Sequence, residues 1–147
     1  MEKIILYADG GSLGNPGPSA SGFVICDEKN QIIKKYSQYL GSNFTNNEAE
    51  YQAVILGLKK IKALFGKKKV EKLEVEVKTD SEFLANQMNE KYKILDSKIK
   101  NLFIDVWNLK LDFKKIKFTF IPREKNEEAH FMVEEGLREK SQTQKLF

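Results

Sequence analysis

The run KIILYAD, residues 3–9, is short, apolar and rich in strand-forming residues, and it ends on an aspartate. Because the turn-forming stretch GGSLGNPGP (10–18) follows at once, we expect a strand buried on both faces of a sheet. Two more strand-like runs, 21–26 and 31–40, flank the polar turn DEKN (27–30) as in a hairpin. The chain is therefore predicted to open with three strands.

The rest of the chain alternates between helical and strand-like periodicity. Val54, Leu58, Ile61 and Phe65 recur at helical spacing, whereas Leu73, Val75 and Val77 alternate as in a strand. The remaining predicted elements are helix 48–65, strand 72–80, helix 81–88, helix 99–109, strand 115–122 and a last helix capped by Asn126. The predicted order is βββαβααβα.

This order predicts an α/β fold with one mixed five-stranded sheet. Strands separated by helices need crossover connections, so strands one, four and five should be parallel, with the hairpin strands antiparallel and helices on both faces. Active sites of such sheets form at the carboxyl ends of the parallel strands, where Asp9 and Asp80 lie. We expect one domain over residues 1–140 and a flexible tail at 141–147.

Composition narrows the functional classes. The chain has 147 residues, of which 41% are hydrophobic, and it contains no apolar run of about 18 residues and no leader-like start. We therefore expect a cytoplasmic monomer without membrane contact. The single cysteine, Cys26, lies in an apolar run and is predicted to be buried. The net charge of +4 favours an anionic partner, and the lysine-rich run GKKKVEK (66–72) is either a solvated loop or a nucleic-acid contact.

Glu50 is the first sign of a metal site. It precedes Val54 by four residues and so lies on the inward stripe of its helix, where an unpaired carboxylate is costly. The alternative is a first-turn glutamate that leans into solvent and interacts with the helix dipole. Because a helix crossing the sheet would bring Glu50 to Asp9 and Asp80, three carboxylates would meet and repel one another. Divalent cations such as Mg²⁺ or Mn²⁺ would relieve that repulsion.

The chemistry expected of such a centre is hydrolysis of a nucleic-acid backbone. Two ions about 4 Å apart can activate a water and stabilise the leaving oxygen of a phosphodiester. The glycine-rich turn after Asp9 lets backbone approach a ligand, but it lacks the Lys-Ser/Thr ending of an ATP phosphate loop. Asn15, Asn46 and Asn47 could meet sugar hydroxyls and base edges, or could be turn and cap residues.

Four segments together resemble the conserved blocks of type 1 ribonuclease H, in order and in spacing. They are YADGGSLGNPGPSASGFVI (7–25), TNNEAEYQAVILGL (45–58), VKTDSEFL (77–84) and REKNEEAH (123–130). The resemblance covers nearly the whole chain, and its implied fold matches the predicted order. It implies an enzyme that cuts the RNA strand of RNA/DNA hybrids with two Mg²⁺ ions.

The resemblance also implies roles for single residues. Asp9, Glu50 and Asp80 would be the catalytic and metal-binding carboxylates, with Asp9 bridging the ions and Glu50 also meeting a ribose hydroxyl. The hybrid contacts implied by the family lie at Gly11, Ser12, Asn15, Thr45, Asn46 and Asn47, with Thr45 at a DNA phosphate. Contacts to the 2′-hydroxyl would distinguish RNA from DNA.

The chain departs from the family pattern at two places. The stretch NEKYKILDSK (89–98) replaces the basic extra helix and loop of many members, so hybrid affinity is either low or supported elsewhere, for example by residues 66–72. The fourth family carboxylate is here His130, the only histidine. At a helix N-terminus we expect a neutral ring that binds metal or carries a proton, so we count His130 among the catalytic and metal-binding residues. The hypothesis is an active enzyme that prefers Mn²⁺, which accepts imidazole more readily.

Two rival interpretations remain at this point. In the first, catalysis is weakened by loss of the fourth carboxylate, and the protein is a module that binds hybrid or structured RNA. In the second, the chain is another metal nuclease of the same superfold, such as a resolvase or integrase, although those lack the TNN and GNPG segments found here.

Overall fold

The computed structural model describes the backbone of residues 2–146 and the side chains of residues 2–139. The strands are β1 (Lys3–Ser12), β2 (Gly17–Asp27), β3 (Ile32–Phe44), β4 (Glu74–Thr79) and β5 (Lys115–Phe120). The helices are α1 (Asn46–Phe65), α2 (Lys67–Val70), α3 (Glu82–Met88), α4 (Ser97–Lys110) and α5 (Glu127–Leu146), with a 3₁₀ turn at Arg123–Lys125.

The five strands form one mixed sheet in the order β3-β2-β1-β4-β5. Strand β2 pairs antiparallel with both β1 and β3, whereas β1, β4 and β5 are mutually parallel. This arrangement confirms the predicted fold. The alternating apolar residues of β4 and the doubly buried run of β1 both belong to inner strands of the sheet. The central strand of the sheet is β1.

Helices cover both faces of the sheet, as predicted. Helix α1 packs on one face and α4 packs against α1, over the main core, which includes the fully buried Leu6, Leu58 and Val77. Helix α5 packs on the other face, against β1, β2 and β3. A smaller cluster there contains Ile5, Val24 and Cys26, so the prediction of a buried cysteine is confirmed.

Several elements begin or end where the sequence did not predict: β2 begins at Gly17 and β3 ends at Phe44, each about four residues beyond the predicted run. Strand β1 continues three residues past Asp9, because Gly10, Gly11 and Ser12 still pair with β2 after the β4 pairing has ended. Helix α2 occupies part of the lysine-rich run, where a loop was expected, because Val70 is fully buried while the three lysines before it are exposed. The element order is therefore βββααβααβα.

At the carboxyl end, helix α5 extends to Leu146. The predicted flexible tail at 141–147 lies among residues whose side chains are outside the described part, so its flexibility stays a prediction. Among the described residues, no helix is both long and apolar enough to cross a membrane.

Candidate metal centre

Three carboxylates from three different elements meet at one end of the sheet. Asp9 belongs to β1, Glu50 to the first turns of α1, and Asp80 follows the last residue of β4. One ligand oxygen from each lies within 4.8 Å of the other two. The structure therefore brings together the carboxylates that the sequence pattern singled out.

The register of the sheet brings the two aspartates together. The last pair in the parallel ladder joins Ala8 to Thr79, so Asp9 and Asp80 are the next residues on neighbouring strands. Strand β4 stops at this point, whereas Asp9 stays in a strand by pairing with Gly22 of β2. Asp9 is thus held in the sheet and 5% exposed, beside the point where the crossover to α3 begins.

Glu50 reaches the centre because α1 lies directly on β1 at Gly10. A Cβ atom at Gly10 would lie 2.2 Å from the backbone carbon of Ala49, so only glycine permits this approach. The hydroxyl of Ser21 donates to the Ala49 carbonyl oxygen at 2.8 Å and anchors the same turn. Part of the glycine-rich stretch after Asp9 therefore serves helix packing, where the sequence had suggested approach of a ligand.

Burial and mutual repulsion raise the pKa values of two of these carboxyl groups. Desolvation, followed by the charges of Asp9 and Asp80, holds the pKa of Glu50 well above its usual range. Desolvation and the charge of Asp80 raise the pKa of Asp9, although hydrogen bonds with Glu50 and His130 partly oppose this. The centre is thus built at an electrostatic cost that a bound cation would relieve.

The residues present fit a divalent metal. Glu50 has one buried carboxylate oxygen, Oε2, without a hydrogen-bond partner among the described residues. An unpaired buried oxygen is rare because it forfeits its interaction with water. Together with the neighbouring aspartates, it forms an all-oxygen donor set of the kind that Mg²⁺ and Mn²⁺ prefer.

His130 faces this centre. Its Nδ1 lies 3.0 Å from Oδ2 of Asp9, and its Nε2 lies 2.9 Å from Oε1 of Glu134, one helical turn further along α5. Helix α5 can lie this close because Gly22 has no side chain: a Cβ there would be 2.3 Å from the Ala129 carbonyl oxygen. The ring is therefore directed at the acidic centre, on the side where the family would have its fourth carboxylate.

Asn126 plays a part that the sequence did not reveal. Its side-chain amide donates to Oδ1 of Asp80 at 2.8 Å and to the Ala8 carbonyl oxygen at 2.9 Å, so it ties β1 to Asp80. Asn126 lies directly before α5, at the cap position predicted for it, but its own Oδ1 has no partner among the described residues, so its side chain does not cap the helix. Its backbone carbonyl instead accepts from the N–H of His130 at 3.1 Å.

The predicted substrate contacts lie in a hydrogen-bonded network between β1 and the start of α1. Ser12 N–H donates to Oδ1 of Asn46 at 2.8 Å, and Asn46 N–H donates to Oδ1 of Asn15 at 3.0 Å. Thr45 caps α1, since its hydroxyl accepts from the Glu48 N–H at 3.1 Å. The side-chain oxygens thus have structural roles, and within residues 2–139 no hydrogen bond involves the side-chain NH₂ groups of Asn15 and Asn46, which are exposed.

Gly11 and Asn47, the other predicted contacts, flank this network. Gly11 pairs with Ala20 in the sheet, one residue before Ser12. Asn47 is exposed in the first turn of α1. The six predicted contact residues therefore share one edge of the molecule, beside the carboxylates.

Comparisons with known proteins agree with this architecture. The family model described as "Reverse transcriptase-like" matches residues 7–136. Ribonuclease HI of Halobacterium salinarum (strain ATCC 700922 / JCM 11081 / NRC-1) is 30% identical over 135 residues, which cover 92% of this chain and 64% of that protein. Bifunctional protein Rv2228c of Mycobacterium tuberculosis (strain ATCC 25618 / H37Rv) is 29% identical over 135 residues, covering 92% of this chain and 35% of that protein.

The structural likeness is closer. LC11-RNase H1, solved in complex with an RNA/DNA hybrid, superposes with a TM-score of 0.88 at 40% identity, covering 93% of this chain and 98% of that one. The chain spans only about a third of the length of Rv2228c, to which it is similar. Because the family model, the named relatives and the fold all agree across most of its length, the chain belongs to the type 1 ribonuclease H family.

Proposed function

We propose that this protein is an endonuclease that hydrolyses the RNA strand of RNA/DNA hybrids with two bound Mg²⁺ or Mn²⁺ ions. The observation that carries the proposal is the meeting of Asp9, Glu50 and Asp80 within 4.8 Å of one another, with one glutamate oxygen buried and unpaired. The likeness to LC11-RNase H1, a protein solved with a hybrid bound, supports the choice of substrate.

The carboxylates of Asp9, Glu50 and Asp80 would hold the metal ions. When bound, such ions supply Lewis-acid activation of a water and stabilise charge on the leaving oxygen. The protein contributes rigidity to that chemistry: Asn126 fixes Oδ1 of Asp80, and the sheet fixes Asp9. Preorganised ligands of this kind do not have to rearrange when the substrate arrives.

His130 would complete the centre on the α5 side. Its Nδ1 is already 3.0 Å from Asp9, so the ring can bind a metal through nitrogen or hold a proton at that atom. An imidazole in place of a carboxylate makes the centre one charge less negative. We therefore expect Mn²⁺ to support cleavage better than Mg²⁺ does.

The hybrid would lie along the edge formed by Ser12, Asn15, Thr45 and Asn46. The oxygens of the two asparagine side chains hold the loops, which leaves their NH₂ groups to donate to base and sugar oxygens. Such contacts, with those to the 2′-hydroxyl of the RNA strand, would select a hybrid over duplex DNA.

Cleavage of end-labelled substrates tests this function. The protein is incubated with Mn²⁺ or Mg²⁺ and an RNA/DNA hybrid, single-stranded RNA, duplex DNA or branched DNA, beside Asp80→Asn and Asp105→Asn variants. The second variant removes an exposed carboxylate on α4 and serves as the matched control. We expect cutting of the RNA strand in the hybrid only, lost by at least about 100-fold in Asp80→Asn and unchanged in Asp105→Asn.

Three results would overturn the proposal. Retained activity in Asp80→Asn would remove the role of the carboxylate centre. Preferential cutting of branched DNA would indicate a resolvase-like enzyme instead. Binding of the hybrid without cutting under either metal would indicate a binding module.

A further inference from the structure

The imidazole of His130 has a carboxylate at each of its ring nitrogens. Asp9 lies at Nδ1, on the side of the metal centre, and Glu134 lies at Nε2, on the side away from it. The distances of 3.0 Å and 2.9 Å are both within hydrogen-bonding range. The ring is therefore held from both ends.

Glu134 is not one of the three clustered carboxylates. It sits four residues after His130 on α5, so the two side chains lie on the same face of the helix, one turn apart. Its side chain is 51% exposed, and the contact with the ring is therefore not forced by burial. Glu134 reaches the metal centre only through the histidine.

The contact at Nε2 has a chemical consequence for Nδ1. A neutral imidazole carries one proton, and an acceptor at one ring nitrogen keeps that proton there. In the metal-free protein Asp9 competes for the same proton at Nδ1. Once a cation lies beside Asp9, the proton held at Nε2 by Glu134 leaves the lone pair of Nδ1 free to bind the metal. Histidines that bind metals commonly have such a carboxylate on their outer nitrogen, and its removal costs about 10- to 100-fold in metal affinity.

We propose that Glu134 is a positioning residue that selects the Nε2-protonated form of His130 and aims its Nδ1 at the metal centre. This inference rests on the proposed function insofar as the centre holds a divalent cation. It also explains how a histidine can serve where the family has a carboxylate: the missing negative charge lies one helical turn away and acts through the ring. The sequence carries a faint sign of this arrangement in the spacing of His130 and Glu134.

The test uses the fact that the chain contains a single histidine, so its ring nitrogens give unambiguous signals. Protein labelled with ¹⁵N-histidine is examined by NMR in saturating Mg²⁺, a diamagnetic ion, at about pH 9, where an ordinary histidine ring is neutral. The variants are Glu134→Ala and, as the matched control, Glu135→Ala, which removes the same charge from the next residue of α5. Glu135 is paired with Arg138 and is not in contact with the ring.

We expect the wild type and Glu135→Ala to carry the proton on Nε2, and Glu134→Ala to show both ring forms in comparable amounts. Mn²⁺ affinity, measured by titration of the full chain, should fall about tenfold in Glu134→Ala and less than twofold in Glu135→Ala. If the two variants weakened Mn²⁺ binding equally, the contribution of Glu134 would be that of any nearby negative charge, and the inference would be overturned. So would a wild-type proton on Nδ1, or a ring unchanged in Glu134→Ala.

Neither measurement depends on nuclease activity. If the ring form and the Mn²⁺ affinity change as expected while no hybrid is cut, the proposed function is overturned and the positioning role stands. If the hybrid is cut but Glu134→Ala leaves both measurements at wild-type values, the positioning role is overturned and the function stands.

Discussion

Glu50 shows at the scale of a single residue what the acidic centre costs the metal-free protein. Burial and the neighbouring aspartates raise the pKa of its carboxyl group, so the folded chain favours the protonated form. Below pH 4.5, the ordinary pKa of glutamate, the carboxyl group is protonated in both the folded and the unfolded chain, and it does not lower the free energy of unfolding. As the pH rises toward the folded pKa, the unfolded chain ionises first, and the free energy of unfolding decreases.

Glu50→Gln should therefore stabilise the metal-free protein increasingly as the pH rises. The measurement is urea unfolding in EDTA at several values between about pH 4.5 and pH 8, with the variant compared with the wild type at each value. The two should agree best at the acidic end and differ most at the alkaline end. A difference that does not grow with pH would contradict the raised pKa.

Glu76 provides a control of opposite sign. Burial raises the pKa of the Glu76 carboxyl group. Hydrogen bonds from Thr119 and Lys3, together with the charge of Lys3, lower the pKa by more than burial raises it, so the net shift is downward. Its contribution to stability is present above the ordinary value of 4.5 and is lost as the pH falls through the folded pKa. Glu76→Gln should accordingly destabilise the protein at neutral pH, and this loss should shrink on acidification.

Some of the residues at the centre could be predicted from the sequence, and others could not. Asp9, Glu50 and Asp80 could be predicted because each belongs to a recognisable pattern, two at strand ends and one on an inward helix stripe. The role of Asn126 could not, because its contact with Asp80 depends on how α5 is placed across the sheet. The spacing of Glu134 from His130 permits their contact, but its importance depends on the same placement, which brings His130 to Asp9. Spacing within one helix does not specify such a placement.

At the scale of elements, two glycines determine where the helices lie. Gly10 lets α1 contact β1, and Gly22 lets α5 contact β2. The two residues lie on neighbouring strands next to Asp9, one following it and the other pairing with it. The helices that carry Glu50 and His130 therefore approach the same point of the sheet from opposite faces.

Gly10→Ala should disrupt this arrangement, because its Cβ would lie 2.2 Å from backbone that cannot move aside cheaply. We expect a loss of about 1–3 kcal/mol or more in the free energy of unfolding, measured in urea, and weaker Mn²⁺ binding as Glu50 is displaced. Gly11→Ala is the control: its nearest neighbour is a side-chain methyl group of Val133 at 3.2 Å, which needs to shift by only a few tenths of an ångström, so the loss should stay below about 1 kcal/mol. Equal losses in the two variants would contradict the argument.

The periodic spacing of apolar residues predicted most helices and strands, because burial of one face of an element imposes that spacing. The alternation of β4 and the helical spacing of α1 both record which residues face the core. The end of β1 and the short α2 escaped prediction for a related reason. Gly10, Gly11 and Ser12 extend β1 through backbone pairing alone, and α2 contributes a single buried residue, Val70, which is too few to make a pattern.

At the scale of the whole molecule, the lysine-rich run (66–72) lies far from the metal centre. Helix α1 continues for 15 residues from Glu50, in the centre, to Phe65, so its far end lies about 22 Å away at 1.5 Å per residue. The exposed lysines of α2, Lys67, Lys68 and Lys69, follow that far end. This placement favours a solvated surface over a contact with the strand being cut.

Replacing these three lysines with glutamine should therefore change hybrid affinity less than twofold at constant salt. Binding is measured with the Asp80→Asn variant, which would not cut the substrate, over a range of salt concentrations. The salt dependence should be the same with and without the three lysines. A loss above about tenfold, with a shallower salt dependence, would show that residues 66–72 compensate for the missing basic extension.

The central claim is that a histidine completes an otherwise acidic metal centre in an active nuclease. Its most direct test is single-turnover cleavage of an RNA/DNA hybrid in Mg²⁺ and in Mn²⁺ by the wild type and by His130→Ala. We predict a clear Mn²⁺ advantage in the wild type and a loss of about 10- to 100-fold in His130→Ala. Full activity of the wild type in Mg²⁺, with no loss in His130→Ala, would contradict the claim.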